Sequence, residues 1–295
     1  MSNISVSNDF ETFCRNLRMS DITVTSIRNR YHTITRRINL DFWSTASDTA
    51  HSLYVGSYGR GTCIYTSDVD IVVELPWSIF SKYDNYASNG QSALLQAVKN
   101  SLKQTYSTSS LGGDGQVVVL NFSDGVRFEI VPAFRHNDGS YTYPDSNHGG
   151  SWKAMDPRAE LQAFNSRNAE CNGNLKQLCR MARAWNEEMA VYMDGILIDT
   201  LAYKFLANYE YRDESFVYYD WMSRDFFQFL LDESGKDYWY KFGSGRRVSK
   251  SYGFAWEASK AHTLSVEALN AHGNGLSTLW HQKWREIYGT KFPVS

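Results

Sequence analysis

The chain has 295 residues, of which 42% are hydrophobic and 21% charged, and its formal net charge is −2. That length supports one large domain or two modest ones with a substantial core, and the composition is that of a soluble globular protein. The near-neutral balance gives no global pull toward nucleic acid, which argues against a long DNA or RNA substrate while leaving room for a local basic pocket. Cys14, Cys63, Cys171 and Cys179 form no C-x-x-C pair and no zinc-finger spacing with histidine, so reduced thiols are expected. The N-terminus lacks the basic and apolar regions of a signal peptide, and no apolar run approaches membrane-spanning length. The expected location is cytoplasmic, with no membrane partner.

Residues 8–18 read as a short helix. From about Asp21 to Phe42, Val24, Ile27, Tyr31, Ile34 and Ile38 recur at spacings of three and four, which predicts a long spine helix. Arg28, Arg30, Arg36 and Arg37 lie off that stripe, as a solvated face or as a regulatory or nucleic-acid surface. His51–Val55 is a short strand leading into the glycine turn Gly56-Ser57-Tyr58-Gly59-Arg60-Gly61. Ser67-Asp68-Val69-Asp70-Ile71-Val72-Val73 then predicts a second strand that stops at Leu75-Pro76.

Gln91–Tyr106 has the period of an amphipathic helix, and Leu111–Gly115 reads as a flexible turn. Val117–Phe122 and Val126–Val131 read as two strands joined at Ser123-Asp124-Gly125. Residues 135–153 read as a long polar loop. Asp156-Pro157 predicts a helix start, with aspartate as cap and proline in the first turn. In the helix predicted over 172–188, Lys176, Arg180 and Arg183 fall on one stripe opposite Leu175, Leu178, Ala182 and Trp185. Three cations so placed repel one another, which favours a stripe facing an anion over a merely solvated one. A further helix begins near Ile196, with Asp199 or Thr200 near its start. An aromatic-rich helix follows over 216–231, then a basic loop at 243–251, either an exposed tip or a nucleotide-gripping segment. Helices over 257–273 and 276–288 end the chain.

On a strand, successive side chains alternate in direction, so Asp68 and Asp70 share one face while Val69, Ile71 and Val73 point into a core. Paired carboxylates at that spacing repel unless a cation lies between them. Glu129 is a third carboxylate, on a strand face shared with Arg127 and Val131, and such a residue needs a metal or a partner such as Arg127. The backbone N–H groups of the glycine turn suit phosphate. Together these features point to a two-metal site with ions about 3.5–4 Å apart. Mg²⁺ suits such hard oxygen ligands, with Mn²⁺ as the alternative. Asp68, Asp70 and Glu129 would be both the metal ligands and the catalytic set, and the Ser57 hydroxyl would anchor phosphate.

Gly56-Ser57 followed by Asp68-x-Asp70, with Glu129 in a strand ending Ile-Val-Pro132, resembles the polymerase-β-type nucleotidyltransferase superfamily. Glu129-Ile-Val-Pro-Ala133, Asp156-Pro-Arg-Ala-Glu160, the Asn174–Trp185 helix and Trp284–Pro293 are similar to the bacterial cGAS/DncV-like nucleotidyltransferases (CD-NTases). The resemblance implies an α+β fold: a two-lobed polymerase-β-like core over residues 1–155, with a mixed sheet and spine helix, packed on a helical lobe over 156–295 with a cleft between. It implies template-independent synthesis of a cyclic di- or trinucleotide from nucleoside triphosphates, ATP or GTP or both, in CBASS-type anti-phage signalling, with an effector protein downstream. It also implies a monomer that requires no long nucleic acid. Gly56, Ser57, Arg180, Arg183, Thr200 and Tyr203 become the nucleotide-binding set. The alternatives are transfer of a single nucleotide to a small molecule or RNA, and a non-catalytic relative. Two departures stand out: Glu129 replaces the aspartate of many relatives, and the zinc thumb of the animal enzyme has no counterpart. The ending Phe-Pro-Val-Ser295 also lacks the terminal glycine or alanine of relatives regulated by C-terminal conjugation.

Overall fold

The computed structural model describes residues 5–65, 68–107 and 109–294; Ser67 of the carboxylate motif and Ser295 lie outside them. In chain order the elements are α1 (Val6–Asn16), α2 (Asp21–Trp43), β1 (Ser52–Tyr54), α3 (Gly56–Arg60), β2 (Asp68–Glu74), α4 (Trp77–Asp84), α5 (Gly90–Lys103), β3 (Ser110–Asp114), β4 (Val117–Asn121), β5 (Arg127–Arg135), β6 (Tyr141–Asp145) and β7 (Ser151–Met155). There follow α6 (Pro157–Glu170), α7 (Asn174–Glu188), α8 (Gly195–Asn208), α9 (Tyr219–Glu233), β8 (Tyr238–Tyr240), β9 (Arg247–Ser249), α10 (Ala255–Gly273) and α11 (Ser277–Tyr288). Two compact units result. One takes residues 19–61 and 66–161; the other takes the chain through Arg18, Thr62–Tyr65 and everything from Gln162.

The first unit is built on a seven-stranded mixed sheet in the order β1-β2-β5-β4-β3, with β6 added to β5 and β7 to β6. β2 and β5 are parallel, and the other pairs are antiparallel. The predicted spine helix α2 is capped by the Ser20 hydroxyl, which accepts from the Thr23 N–H at 3.2 Å. Its stripe Ile27, Tyr31, Ile34 and Ile38, with Leu94, Val98 and Leu102 of α5, covers the sheet face made by Val69, Ile71, Val73, Phe128 and Ile130. Val72, Ala133 and Tyr141 form a smaller cluster of their own. Off the α2 stripe, Arg30 is not simply solvated: it grips Asp124 of the β4–β5 turn through two N–H groups at 3.0 and 2.8 Å. Asp156 caps α6 as expected, its carboxylate accepting from the Ala159 N–H at 3.1 Å.

Three stretches depart from the sequence expectation. The turn at Leu111–Gly115 is largely strand β3, held by β4. The loop at 135–153 contains the β6–β7 hairpin, with Tyr141 inward. Within 237–251 the chain forms a second hairpin, β8–β9.

The second unit is a helical bundle around an aromatic core. Phe10 of α1 meets Trp284 of α11 and Phe292 edge-on, each at 5.2 Å between centroids, and Trp185 packs on Phe227. Among the described residues no helix is long and apolar enough to cross a membrane.

At the end of α9, Glu233 is 7% exposed and accepts from Lys204, Lys236 and the Trp239 indole N–H. Burial alone would raise its pKa, but these hydrogen bonds outweigh it and draw the carboxyl from 4.5 down to about 2. A carboxyl lower in the folded state stabilises the fold above its unfolded value and loses that contribution as pH falls toward the folded one. Glu233→Gln is therefore expected to cost about 2 kcal/mol at neutral pH, discounted because both lysines reach solvent. Urea melts should show wild type losing this increment between pH 4.5 and about 2, and the variant lacking that loss.

Candidate active site

The parallel register of β2 and β5 sets Asp70 directly opposite Glu129 and Asp68 opposite Arg127. Since the helices cover the valine and isoleucine face, these four polar side chains share the other face of the same sheet. Asp68 is exposed, whereas Asp70 and Glu129 are half-buried. Burial, then the charges of Glu129 and Asp68, push the Asp70 carboxyl up to about 6, with Arg60 and Arg127 opposing the rise. Glu129 is raised as well, first by burial and against the pull of Arg127.

Gly56 determines where the Asp70 carboxylate can lie. Its φ is +61°, and a Cβ added there would sit 1.8 Å from Asp70 Oδ2. The position demands glycine twice over, for the left-handed backbone and for the close approach. The neighbouring Val55 N–H donates to the Asp70 carbonyl at 2.9 Å, tying the start of the turn to the strand. The predicted glycine turn is one short helix, α3, and carries Ser57.

Arg127 Nη2 donates to Glu129 Oε1 at 2.6 Å, while its Nε lies 3.8 Å from Asp68 Oδ1. Among the described residues no group of three or more His, Cys, Asp or Glu side chains is gathered into a metal cage. The donor set nevertheless fits Mg²⁺, which takes one or two carboxylates and completes its shell with water and substrate phosphates. A desolvated carboxyl raised by two neighbouring carboxylates is also the electrostatic situation that a cation relieves.

In the helical unit the cationic stripe of α7 divides. Lys176 and Arg180 are half-buried, and both have their pKa lowered, first by burial and then by like charge: Arg180 acts on Lys176, and Arg18 on Arg180. Arg183 does face an anion, but one internal to the protein rather than a phosphate. Its Nη1 donates to Asp199 Oδ1 at 2.6 Å and to the Cys179 carbonyl at 3.2 Å, and its Nη2 donates to the Gly195 carbonyl at 2.9 Å. Asp199 is fully buried and also accepts from the Thr62 hydroxyl at 3.0 Å. This is an internal ion pair that joins α7 to α8.

Thr200 is corrected too. α8 begins at Gly195, so Thr200 lies in its second turn, buried, with its hydroxyl donating to the Ile196 carbonyl at 2.7 Å. Thr200 and Tyr203 do line one pocket of about 400 Å³, together with Lys204, Lys236, Trp239 and Tyr240. Tyr203 stacks on Phe242 at 5.1 Å, and Arg167 lies over its ring at 5.0 Å. Lys204 and Lys236 were missed: the hairpin that closes the pocket forms from β8, in a stretch given no assignment from sequence, and β9, inside the expected loop at 243–251. Arg60 was also missed, although a charged residue inside a glycine turn ahead of two aspartates was a usable signal.

Removing one member of a buried, hydrogen-bonded ion pair strands the other. Arg183→Met is expected to destabilise the protein by about 3 kcal/mol or more, read as a fall in thermal midpoint. Adding Asp199→Asn should recover part of that loss, since the stranded charge is then gone.

Comparison with known proteins places this geometry. Residues 4–168 match the model of the Second Messenger Oligonucleotide or Dinucleotide Synthetase domain, SMODS. A probable cyclic nucleotide synthase of Bacillus cereus (strain VD146) is 21% identical over 182 residues, covering 56% of this chain and 51% of that protein. The matched segment thus spans about half the length of that curated relative. Among solved structures, CdnC of E. coli MS115-1 with ATP superposes with a TM-score of 0.70 at 15% identity, covering 97% of this chain and 99% of that one. The CD-NTase CdnG of Bradyrhizobium diazoefficiens with GTP gives 0.68 at 13% identity, covering 98% and 96%. DncV of Vibrio cholerae gives 0.62 at 15% identity, covering 82% and 69%. The fold is therefore that of the bacterial CD-NTases, a polymerase-β-like core with a mixed sheet and a long spine helix, and the chain belongs to the SMODS family.

Proposed function

We propose that this protein is a nucleotidyltransferase that joins nucleoside triphosphates, without a template, into a cyclic di- or trinucleotide and releases pyrophosphate. The observation that carries the reading is the in-register placement of Asp70 opposite Glu129, with Asp68 on the same face, in a chain of the second-messenger synthetase family. ATP and GTP, named with the solved CdnC and CdnG structures, are the substrates proposed. A CBASS-type anti-phage role, with a separate effector protein sensing the product, belongs to the same proposal.

Asp68, Asp70 and Glu129 would hold Mg²⁺ jointly with triphosphate oxygens. Bound there, the metal supplies charge stabilisation and a more acidic attacking hydroxyl. Glu129, half-buried and raised in pKa, is the group proposed to take the proton from that hydroxyl. Gly56 lets the backbone approach Asp70 closely enough to fix its carboxylate, and Ser57 offers a hydroxyl to phosphate. Lys176 and Arg180 are the cations proposed for the triphosphate. Both are desolvated and repel their neighbours, so an anion stabilises them more than solvent does. Arg183 acts behind them as a strut. The pocket lined by Thr200 and Tyr203 is proposed to take the nucleoside, with Lys204 and Lys236 excluding a cationic ligand.

Incubation with the four nucleoside triphosphates and a divalent metal tests the reading. The expected result is a phosphatase-resistant product whose mass equals joined nucleoside monophosphates, with pyrophosphate released. Transfer that appears only when an RNA or small-molecule acceptor is added would replace it with single-nucleotide addition. Asp68→Ala with Asp70→Ala should abolish product while the far-ultraviolet circular dichroism spectrum is unchanged. Gly56→Ala should lower kcat by about 100-fold or more, since a misplaced ligand or nucleophile costs that order of rate. Its thermal midpoint should fall only modestly.

A further inference from the structure

We propose that Arg127 is a displaceable counter-ion of the carboxylate face: it holds Glu129 when no divalent ion is present and must release it for that ion to bind. The inference rests on reading Asp68, Asp70 and Glu129 as metal ligands. Arg127 stands across the β2–β5 pair from Asp68 and two residues before Glu129, so all three side chains leave the same sheet face. One of its terminal nitrogens bonds Glu129 at 2.6 Å. Its Nε is buried without a hydrogen-bond partner and lies 3.8 Å from Asp68, beyond hydrogen-bond reach.

This attachment differs from those of Arg30 and Arg183. Arg30 grips Asp124 with two nitrogens at once, and Arg183 is spent on a carboxylate and two carbonyls. Arg127 holds Glu129 by a single nitrogen and has a donor to spare. Asp70 leaves the same sheet face, directly opposite Glu129. The single positive charge of Arg127 thus does for all three carboxylates, in part, what a divalent ion does in full.

A divalent ion arriving alone has to overcome the repulsion of the guanidinium and break its bond to Glu129. A metal–triphosphate complex brings an anion that can receive the freed guanidinium, because planar guanidinium pairs well with phosphate oxygens. Arg127 therefore makes metal binding depend on the presence of nucleotide.

The test is Mn²⁺ titration of the nucleotide-free full chain, following the paramagnetic signal of unbound Mn²⁺. Arg127→Gln is expected to bind Mn²⁺ about tenfold more tightly than wild type, the order expected for removing a like charge at close range in a partly solvated site. Arg127→Lys, which keeps the charge, should stay near wild type, and Glu129→Gln added to Arg127→Gln should erase the gain. Thermal melts of each variant establish that it is folded. Equal or weaker Mn²⁺ binding by folded Arg127→Gln overturns the proposal. Failure of every variant to bind Mn²⁺ even with a non-hydrolysable ATP analogue would instead remove the metal-site reading beneath it.

Discussion

The parallel pairing of β2 with β5 is the constraint on which the rest depends. A parallel pair cannot be closed by a tight turn, so the chain between them must make an excursion and return. Here it does so through α4, α5, β3 and β4, and those elements supply the helix that covers one sheet face and the strand beside β5. Because side chains alternate along each strand, a slip of one residue would send Asp70 and Glu129 to opposite sides. The valine, isoleucine and phenylalanine side chains beneath α2 and α5 prevent that slip. They make any slip by an odd number of residues bury carboxylates and expose core, so the apolar face constrains the chemistry of the polar one.

The cations of this protein differ in how far burial and internal acceptors account for them. Arg183 satisfies a buried aspartate and two carbonyls within its own unit, and its charge is spent there. Lys176 and Arg180 lie half-buried beside like charges and have lowered pKa values, a situation that an incoming anion improves. Arg127 falls between these cases, partly spent on Glu129. Residue type and helical position are the same for Arg180 and Arg183 to within one turn, and what sets Arg183 apart is its burial against the Asp199 carboxylate.

That distinction explains what could and could not be read from the residues alone. The alternation in β2 put Asp68 and Asp70 on one face, and that in β5 put Glu129 with Arg127, because one buried side leaves a period-two imprint that local sequence carries; that the two faces are one follows only from the long-range parallel register. The stripe on α7 was also legible, but Asp199 is the buried end of an ion pair formed between two helices, and no periodicity in either helix announces it. Glycine, asparagine, serine and aspartate disguised the β6–β7 hairpin as loop. What holds it is pairing to β5 and the inward Tyr141, both long-range. β3 was hidden in the same way by its two glycines, since its order comes from β4 rather than from its own side chains. The start of α8 was legible to within one residue, but that the Thr200 hydroxyl turns back to the Ile196 carbonyl within the helix is not something the apolar run records.

The aromatic nest joining α1 to α11 has a consequence for how the molecule is made. Phe10 and Phe13 leave the ribosome early, yet their partners Trp284, Tyr288 and Phe292 come from the far end of the described chain. During synthesis α1 therefore presents an uncovered apolar stripe while the sheet unit, whose strands and helices lie within residues 19–161, already has its whole sequence available. A fragment cut at Gln162 would lack that stripe and leave the tryptophans of α11 without their lid. The two units are distinct in their contacts but interleaved in the order of translation, so the helical one cannot be obtained by simple truncation.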